Sequence, residues 1–339
     1  MPQPNMSNVH VNAPLTNVSV AYVQDQSHFI ADRVFPNIPV TKQSDRYYVY
    51  SRADFNRDEM QVRAPGTESA GGGYTLDNTP TYYAPVWAYH KDIDDQIRAN
   101  SDSVLQPDRD ATIFVTQKGL IRRERNWAQK YFTTGIWGTE VTGVASNPVP
   151  GTSFLQWNDA GSTPIEDVRA AKRAVLEATG FEPNKITLGK GVYDALVDHP
   201  DIVDRVKYGQ TPGAPAMVNA NALAQLFELD EVLVSKAVYN AGPKGADFAA
   251  SAAKEASQFI SGPHALLSYV TPTPSIMQPT AGYTFSWSGW FGATGLGFRI
   301  KKFRMEWLES DRVEIQMAFD QKVVGADLGY FFANAVATS

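Results

Sequence analysis

The chain has 339 residues, 43% hydrophobic and 19% charged, with 30 Lys+Arg against 36 Asp+Glu and no cysteine. Its apolar share and length exclude a disordered chain and leave room for two domains or one elaborated one. The lack of cysteine excludes disulfides, thiolate metal sites and thiol nucleophiles. A net charge of −6 argues against a dedicated nucleic-acid binder, whose footprint is basic. No apolar run approaches the ~18 residues of a membrane span. No signal peptide is expected, because the first basic residue is Arg33 and no apolar run follows Met1. The 7 Trp, 15 Tyr and 17 Phe fit either a large core or extensive partner interfaces.

Residues 1–15, rich in Asn, Pro and Ser, read as an extended arm. From Thr16 to Arg33 the pattern is helical, with Val18, Tyr22, Phe29 and Ile30 near one face, and Phe35-Pro36 must end it. Residues 46–91 read as a long two-stranded excursion. Tyr47 to Tyr50 begin one strand, and Thr81 to Tyr89 form the other. Between them lie Arg57, Asp58, Glu59, Arg63, Glu68 and the triplet Gly71-Gly72-Gly73. A connection that long is functional, disordered, or paired with another subunit.

Residues 108–132 carry the longest helical pattern, with Ile113, Leu120, Trp127 and Tyr131 as its apolar stripe and Gly135 as its stop. Residues 150–260 read as an α/β unit. Thr163-Pro164-Ile165-Glu166 is a capping-box signature, Ile165, Val168, Ala171 and Val175 line one helix face, and Gly180 ends that helix. Strands are expected at Lys185–Leu188, Val232–Val234 and Ala265–Val270, and helices at Gly191–Asp198, Asp201–Tyr208 and Asn219–Glu228. Phe298–Leu308 and Arg312–Phe319 should form a hairpin, the second strand alternating Val313, Ile315, Met317 and Phe319 with polar neighbours.

Catalytic motifs are missing. There is no GxxxxGK[ST] loop, no GxGxxG fingerprint, no GxSxG elbow and no helical pair of histidines. Asp92, Asp94 and Asp95 could hold a hard cation, as a soluble metal-dependent α+β enzyme would need; a solvated acidic face is the favoured reading. The run Arg122-Arg123-Glu124-Arg125 on the long helix could touch phosphate, but an exposed face pairing with neighbouring carboxylates is favoured.

The order of parts resembles the major capsid protein of tailed bacteriophages, an α+β protein with the Hong Kong phage-type capsid fold. Ala31-Asp32-Arg33-Val34-Phe35-Pro36 with Pro39-Val40 resembles the junction of arm and loop in that family. Ile165 to Tyr208 resembles its A-domain helix–strand–helix, and Phe319 to Tyr330 its last P-domain strand and tail. The resemblance implies an N-arm at 1–45, an E-loop at 46–91, and a P-domain at 92–149 with the spine helix at 108–132. It further implies an A-domain at 150–285, and P-domain return strands and tail at 286–339. Phe29, Phe35, Arg57, Glu59, Arg63, Glu68 and Tyr74 would make inter-subunit contacts, and Arg122, Arg123, Arg125 and Trp127 would mark the spine helix.

The implied function is that of a structural, non-enzymatic coat protein without cofactors. It would assemble in the host cytoplasm into hexamers and pentamers of a virion shell, around double-stranded DNA touched weakly and without specificity. Partners would be its own copies, a portal protein, a decoration protein and a separate scaffolding protein, since a fused scaffold has no room before residue 46. Lys42 and Lys91 flank the E-loop and none lies inside it, which speaks against a Lys–Asn crosslink. An encapsulin-type nanocompartment shell is the alternative with the same fold.

Overall fold

A computed structural model describes residues 23–101, 105–209, 218–243, 256–274, 278–290, 295 and 297–337. The arm residues 1–22, and with them the expected start of the first helix, lie outside the described residues. Two sheets and one long helix organise the rest.

The first sheet has the order Asn37–Val40, Gly282–Trp287, Ser310–Val323, Phe298–Met305. The 14-residue strand Ser310–Val323 is its axis. Its first half pairs antiparallel with Phe298–Met305 on one side and with Val86–Asp94 on the other, and its second half pairs with Gly282–Trp287. The strand Val86–Asp94 therefore belongs to a main sheet, so the excursion expected at 46–91 ends near residue 85. The expected hairpin is present, and its tip lies earlier than expected: Phe298–Met305 gives way to a 3₁₀ turn at Glu306–Leu308, and Glu309 closes it with φ 43°. Val313, Ile315, Met317 and Phe319 alternate into the core as expected. Ala318, Asp320 and Gln321 are buried as well, because from Met317 onward both faces of the strand are covered.

The second sheet has the order Glu231–Ser235, Lys185–Gly189, Ala265–Ser268, Gly329–Ala333, Thr139–Val144, Ser153–Leu155. Ala265 pairs with Leu188 on one side and Phe332 on the other. The C-terminal strand Gly329–Ala333 thus enters the sheet of the α/β unit and does not continue the first sheet as a tail. One face of this second sheet is covered by Pro164–Thr179, Lys190–Val197 and Ala220–Leu226, whose Ile165, Val168, Val192, Leu196 and Leu223 join one apolar cluster. Pro164 stands at the first helical position and Gly180 ends the helix with φ 79°. The Thr163 hydroxyl makes no cap hydrogen bond, so the capping box is realised only in its proline.

The long helix Pro107–Tyr131 runs between the sheets. Its buried face is Ala111, Val115, Gly119, Arg123 and Trp127, a spacing of four. The expected stripe of Ile113, Leu120, Trp127 and Tyr131 is wrong for its first member, since Ile113 is 37% exposed. Small residues face inward because the strand side chains Ile315 and Met317 fill the space: a Cβ on Gly119 would lie 3.0 Å from each. The C-terminal half of the helix packs with Ile30, Val34, Phe35, Phe331 and Leu266 in a second cluster.

The expected helix from Thr16 to Arg33 does not span its described part. A 3₁₀ turn, Gln26–His28, and a four-residue helix, Ala31–Val34, are separated at Phe29 by extended backbone. The segment then continues as Asn37–Val40, parallel to Gly282–Trp287.

Candidate functional site

Among the described residues, the excursion and the hairpin tip carry the most exposed large apolar side chains. The excursion is built from two short antiparallel pairs, Ser44–Arg46 with Thr81–Tyr83 and Val49–Tyr50 with Leu76–Asp77. Two-stranded ribbons are marginal alone, and this one is anchored at its base. Tyr82 stacks on Phe285 (centroids 4.7 Å apart), Tyr47 stacks on the same ring at 5.4 Å, and the Tyr83 N–H donates to Asp320 at 3.0 Å. A short helix the sequence does not announce, Arg52–Phe55, is capped by Ser51 and ties to the body by an Arg52–Asp327 ion pair of 2.6 Å.

Beyond that helix the residues are exposed. Met60 is 93% exposed, and Val62, Tyr74, Leu76 and Tyr83 also face solvent. Tyr50, Phe55 and Tyr74 form an aromatic cluster with centroids 5.6–6.0 Å apart. Arg57 reaches Glu59 at 3.5 Å, Arg63 donates to the Thr67 carbonyl four residues on, and Glu68 is exposed. Arg57, Glu59, Arg63, Glu68 and Tyr74 therefore sit together on one outlying ribbon. Phe29 is half-buried at the start of the arm segment. Phe35 differs from the expectation: it is fully buried in its own subunit, with ring centroids 6.3, 5.2 and 6.3 Å from Trp127, Tyr131 and Trp137. A phenyl ring enclosed by three aromatics has no surface left for a neighbour.

Sequence reasoning missed the hairpin tip, where Trp307 is 84% exposed beside exposed Leu308. A Trp two residues before an acidic turn, Glu309-Ser310-Asp311, carried the available signal.

The basic run on the long helix is spent inside the subunit. The Arg122 guanidinium lies 3.9 Å from the Trp87 ring centre and that of Arg125 4.5 Å from Tyr239. Arg123 is buried and pairs with Asp32 at 2.7 Å. The expected exposed face is thus wrong for Arg123, and the expected carboxylate partner is right for it. Trp127 is fully buried beside Phe35 and Phe132.

The acidic cluster is solvated at Asp95, whose side chain is 44% exposed, and is at the same time engaged by protein partners. Asp92 takes a bidentate bond from Arg312 (2.7 and 2.9 Å), whose hydrogen bonds hold its carboxyl below the usual range. Asp94 caps the helix Asp95–Ala99 through the Gln96 N–H, and Asp95 pairs with Arg304. Each carboxylate has a protein partner, and the described residues hold no group of three or more metal-type ligands. Ser162 and His199 also meet, at 3.0 Å. The Asp201 N–H points at His199 Nδ1 (3.2 Å), so Nε2 carries the ring proton and donates; the ring cannot act as a base toward Ser162.

Comparison with known proteins follows the same lines. Residues 146–293 match the family described as phage major capsid protein E. The major capsid protein of Pseudomonas phage JBD67 is 27% identical, over 96% of this chain and 97% of that one. Among solved structures, a phage-related protein from Bordetella bronchiseptica RB50 superposes with a TM-score of 0.65 at 20% identity, covering 92% of this chain and 93% of its own. The capsid of the cyanophage P-SCSP1u superposes with a TM-score of 0.60 at 12% identity, covering 97% and 93%. The chain has the fold of the tailed-phage major capsid proteins. No helix among the described residues is long and apolar enough to cross a membrane.

Proposed function

We propose that this chain is the coat subunit of a phage virion, assembling in the host cytoplasm into hexamers and pentamers of an icosahedral shell around double-stranded DNA. The observation that carries the reading is a sequence likeness to a phage major capsid protein that spans nearly the whole of both chains. The exposed apolar ribbon supports it: side chains such as Met60 and Val62 gain from burial only against another molecule. In this reading residues 1–45 are the N-arm, about 46–85 the E-loop, the long helix and first sheet the P-domain, and the α/β unit the A-domain. Contacts around five- and six-fold axes are heterologous and close only when the rotations close. One sequence then serves both rings by adjusting its ribbon.

Arg122 and Arg125 are stacked on rings and Arg123 is paired with Asp32, which leaves Arg109, Lys118 and Lys130 as the exposed basic residues of the helix, so contact with packaged DNA is weak and non-specific. A portal protein, a separate scaffolding protein and a decoration protein complete the assembly. A cargo-enclosing compartment shares the fold, and the phage coat relative favours the virion. Electron microscopy of the purified chain, alone and with its candidate scaffold, tests the proposal. Rings or shells are expected; a persistent monomer under every condition overturns it.

A further inference from the structure

Where the N-terminal segment crosses the long helix, three ionisable side chains meet. Glu124 is 1% exposed. Its Oε2 accepts the backbone N–H groups of Ile30 (3.0 Å) and Ala31 (2.9 Å), while Oε1 has no hydrogen-bond partner among the described residues. Arg123 is turned to Asp32 at 2.7 Å, and the Asp32 side chain, 44% exposed, keeps contact with water. The guanidinium is therefore matched to Asp32. The charges acting on Glu124 are Asp32, which opposes its ionisation, and Arg123, which favours it. Arg33 is directed away, onto Glu231, which also holds Lys185 on the neighbouring strand. From the first sheet the nearby buried polar group is neutral: Gln321, bonded to Asn126 at 2.7 Å.

A carboxylate shut from water without its own counter-ion is costly. We propose that Glu124 is a proton-operated latch for the N-terminal segment: residues 23–35 lie on the long helix while Glu124 holds its proton, and they lift away when it is lost. Lifting exposes the carboxyl to water, where it ionises normally. The other contacts across this crossing do not depend on the proton: Gln24 bonds both ways to the Val238 backbone (2.7 and 2.9 Å), and Phe35 fills its aromatic pocket. The proton therefore sets the balance of docking without being its sole source. Burial pushes the Glu124 carboxyl up to about 8; it outweighs the downward pull of the Ala31 and Ile30 N–H bonds, and the opposing Asp32 charge adds to it. The docked segment thus binds more protons than the lifted one between the ordinary carboxylate range and about pH 8, and docking weakens as pH rises through that window. The latch rests on contacts within one chain and stands whether or not the chain builds a shell.

Hydrogen exchange of the full-length chain tests it, with rates corrected for the intrinsic pH dependence of exchange. At the Ile30 and Ala31 amides the opening constant should rise by up to about tenfold per pH unit between about pH 5 and 8. The Ile186 and Leu188 amides of the second sheet should show no such slope. Glu124→Gln keeps an acceptor oxygen but cannot ionise, and should cut the slope to what Asp32, whose carboxyl burial also raises, contributes. Asp32→Asn frees Arg123 for Glu124 and should move the window to lower pH. A flat wild-type profile, or an undiminished slope in E124Q, overturns the latch. Should E124Q not fold, an unmoved window in D32N does the same.

Discussion

Phe35 shows how a single residue is fixed from several directions. Its ring lies against Trp127, Tyr131 and Trp137, and the backbone of Gly282 closes the remaining side. A Cβ on Gly282 would fall 2.6–2.7 Å from three atoms of the ring, closer than any real contact. Glycine is required there by close approach of the backbone, not by its dihedral angles. Gly282→Ala must push Phe35 off its seat, and overpacking of this kind costs about 1–3 kcal/mol. Chemical denaturation should show a lower midpoint with an unchanged slope; a variant as stable as the wild type would mean the ring relocates freely. The sequence placed Phe35 beside a proline at the end of a helix, and the family resemblance made it a contact to another subunit. Its enclosing partners lie some 90 to 250 positions away in the chain, and no local pattern reports contacts of that range.

At the scale of elements, the long helix was legible in its ends and not in its face. Pro107 and the acidic first turn mark the start, and the length of the pattern predicts its extent to within a residue. The inward face was misread because it is small and partly polar: Ala111, Gly119, Arg123 and Glu124 are buried, while Ile113 and Phe114 are exposed. Hydrophobic periodicity finds the core only where large apolar side chains occupy it, and here the bulk comes from the strand opposite. Val313, Ile315, Met317 and Phe319 supply that bulk, and their alternation was readable. Truncation should report the asymmetry. Phe319→Ala, in the core, is expected to cost about 3–5 kcal/mol. Ile113→Lys, on the outer face, should change the stability of the isolated chain by no more than about 0.5 kcal/mol. Denaturant midpoints of the two variants measure this, and a large loss in the Ile113 variant would restore the face that periodicity suggested.

For the whole molecule, what sets the design apart is the division between parts that satisfy themselves and parts that do not. The two sheets and the long helix close their clusters within one chain. The ribbon is tied to the body near its root, on Tyr82, Tyr47 and Phe285 and by the Arg52–Asp327 pair, and its tip is left exposed. That division was legible in the sequence as a connection too long for a compact domain. Its far boundary was read too late: Ala84-Pro85 separates Thr81–Tyr83, which pairs in the ribbon, from Val86–Asp94, which pairs in the first sheet, and the sequence expectation ran one strand across that proline. Removing all of 46–91 would therefore also strip a sheet strand and confuse folding with assembly.

A narrower change separates the two. The backbone at Gly72 lies against the Glu59 side chain, a Cβ there falling 2.4 Å from Oε2, so the two sides of the tip are close enough for a short link. Replacing residues 60–71 with a brief Gly/Ser linker removes exposed Met60 and Val62 and leaves both strand pairs, the Arg52–Asp327 tie and the aromatic root in place. The tip makes no strand pairing of its own, and closing a shorter loop costs no more entropy than the longer one did. The expected outcome is a chain with the wild-type denaturation midpoint that no longer forms shells, read by electron microscopy and sedimentation. Normal shells from this variant would show that the ribbon tip is not what joins neighbouring copies. A lowered midpoint would show that the tip belongs to the subunit's own fold.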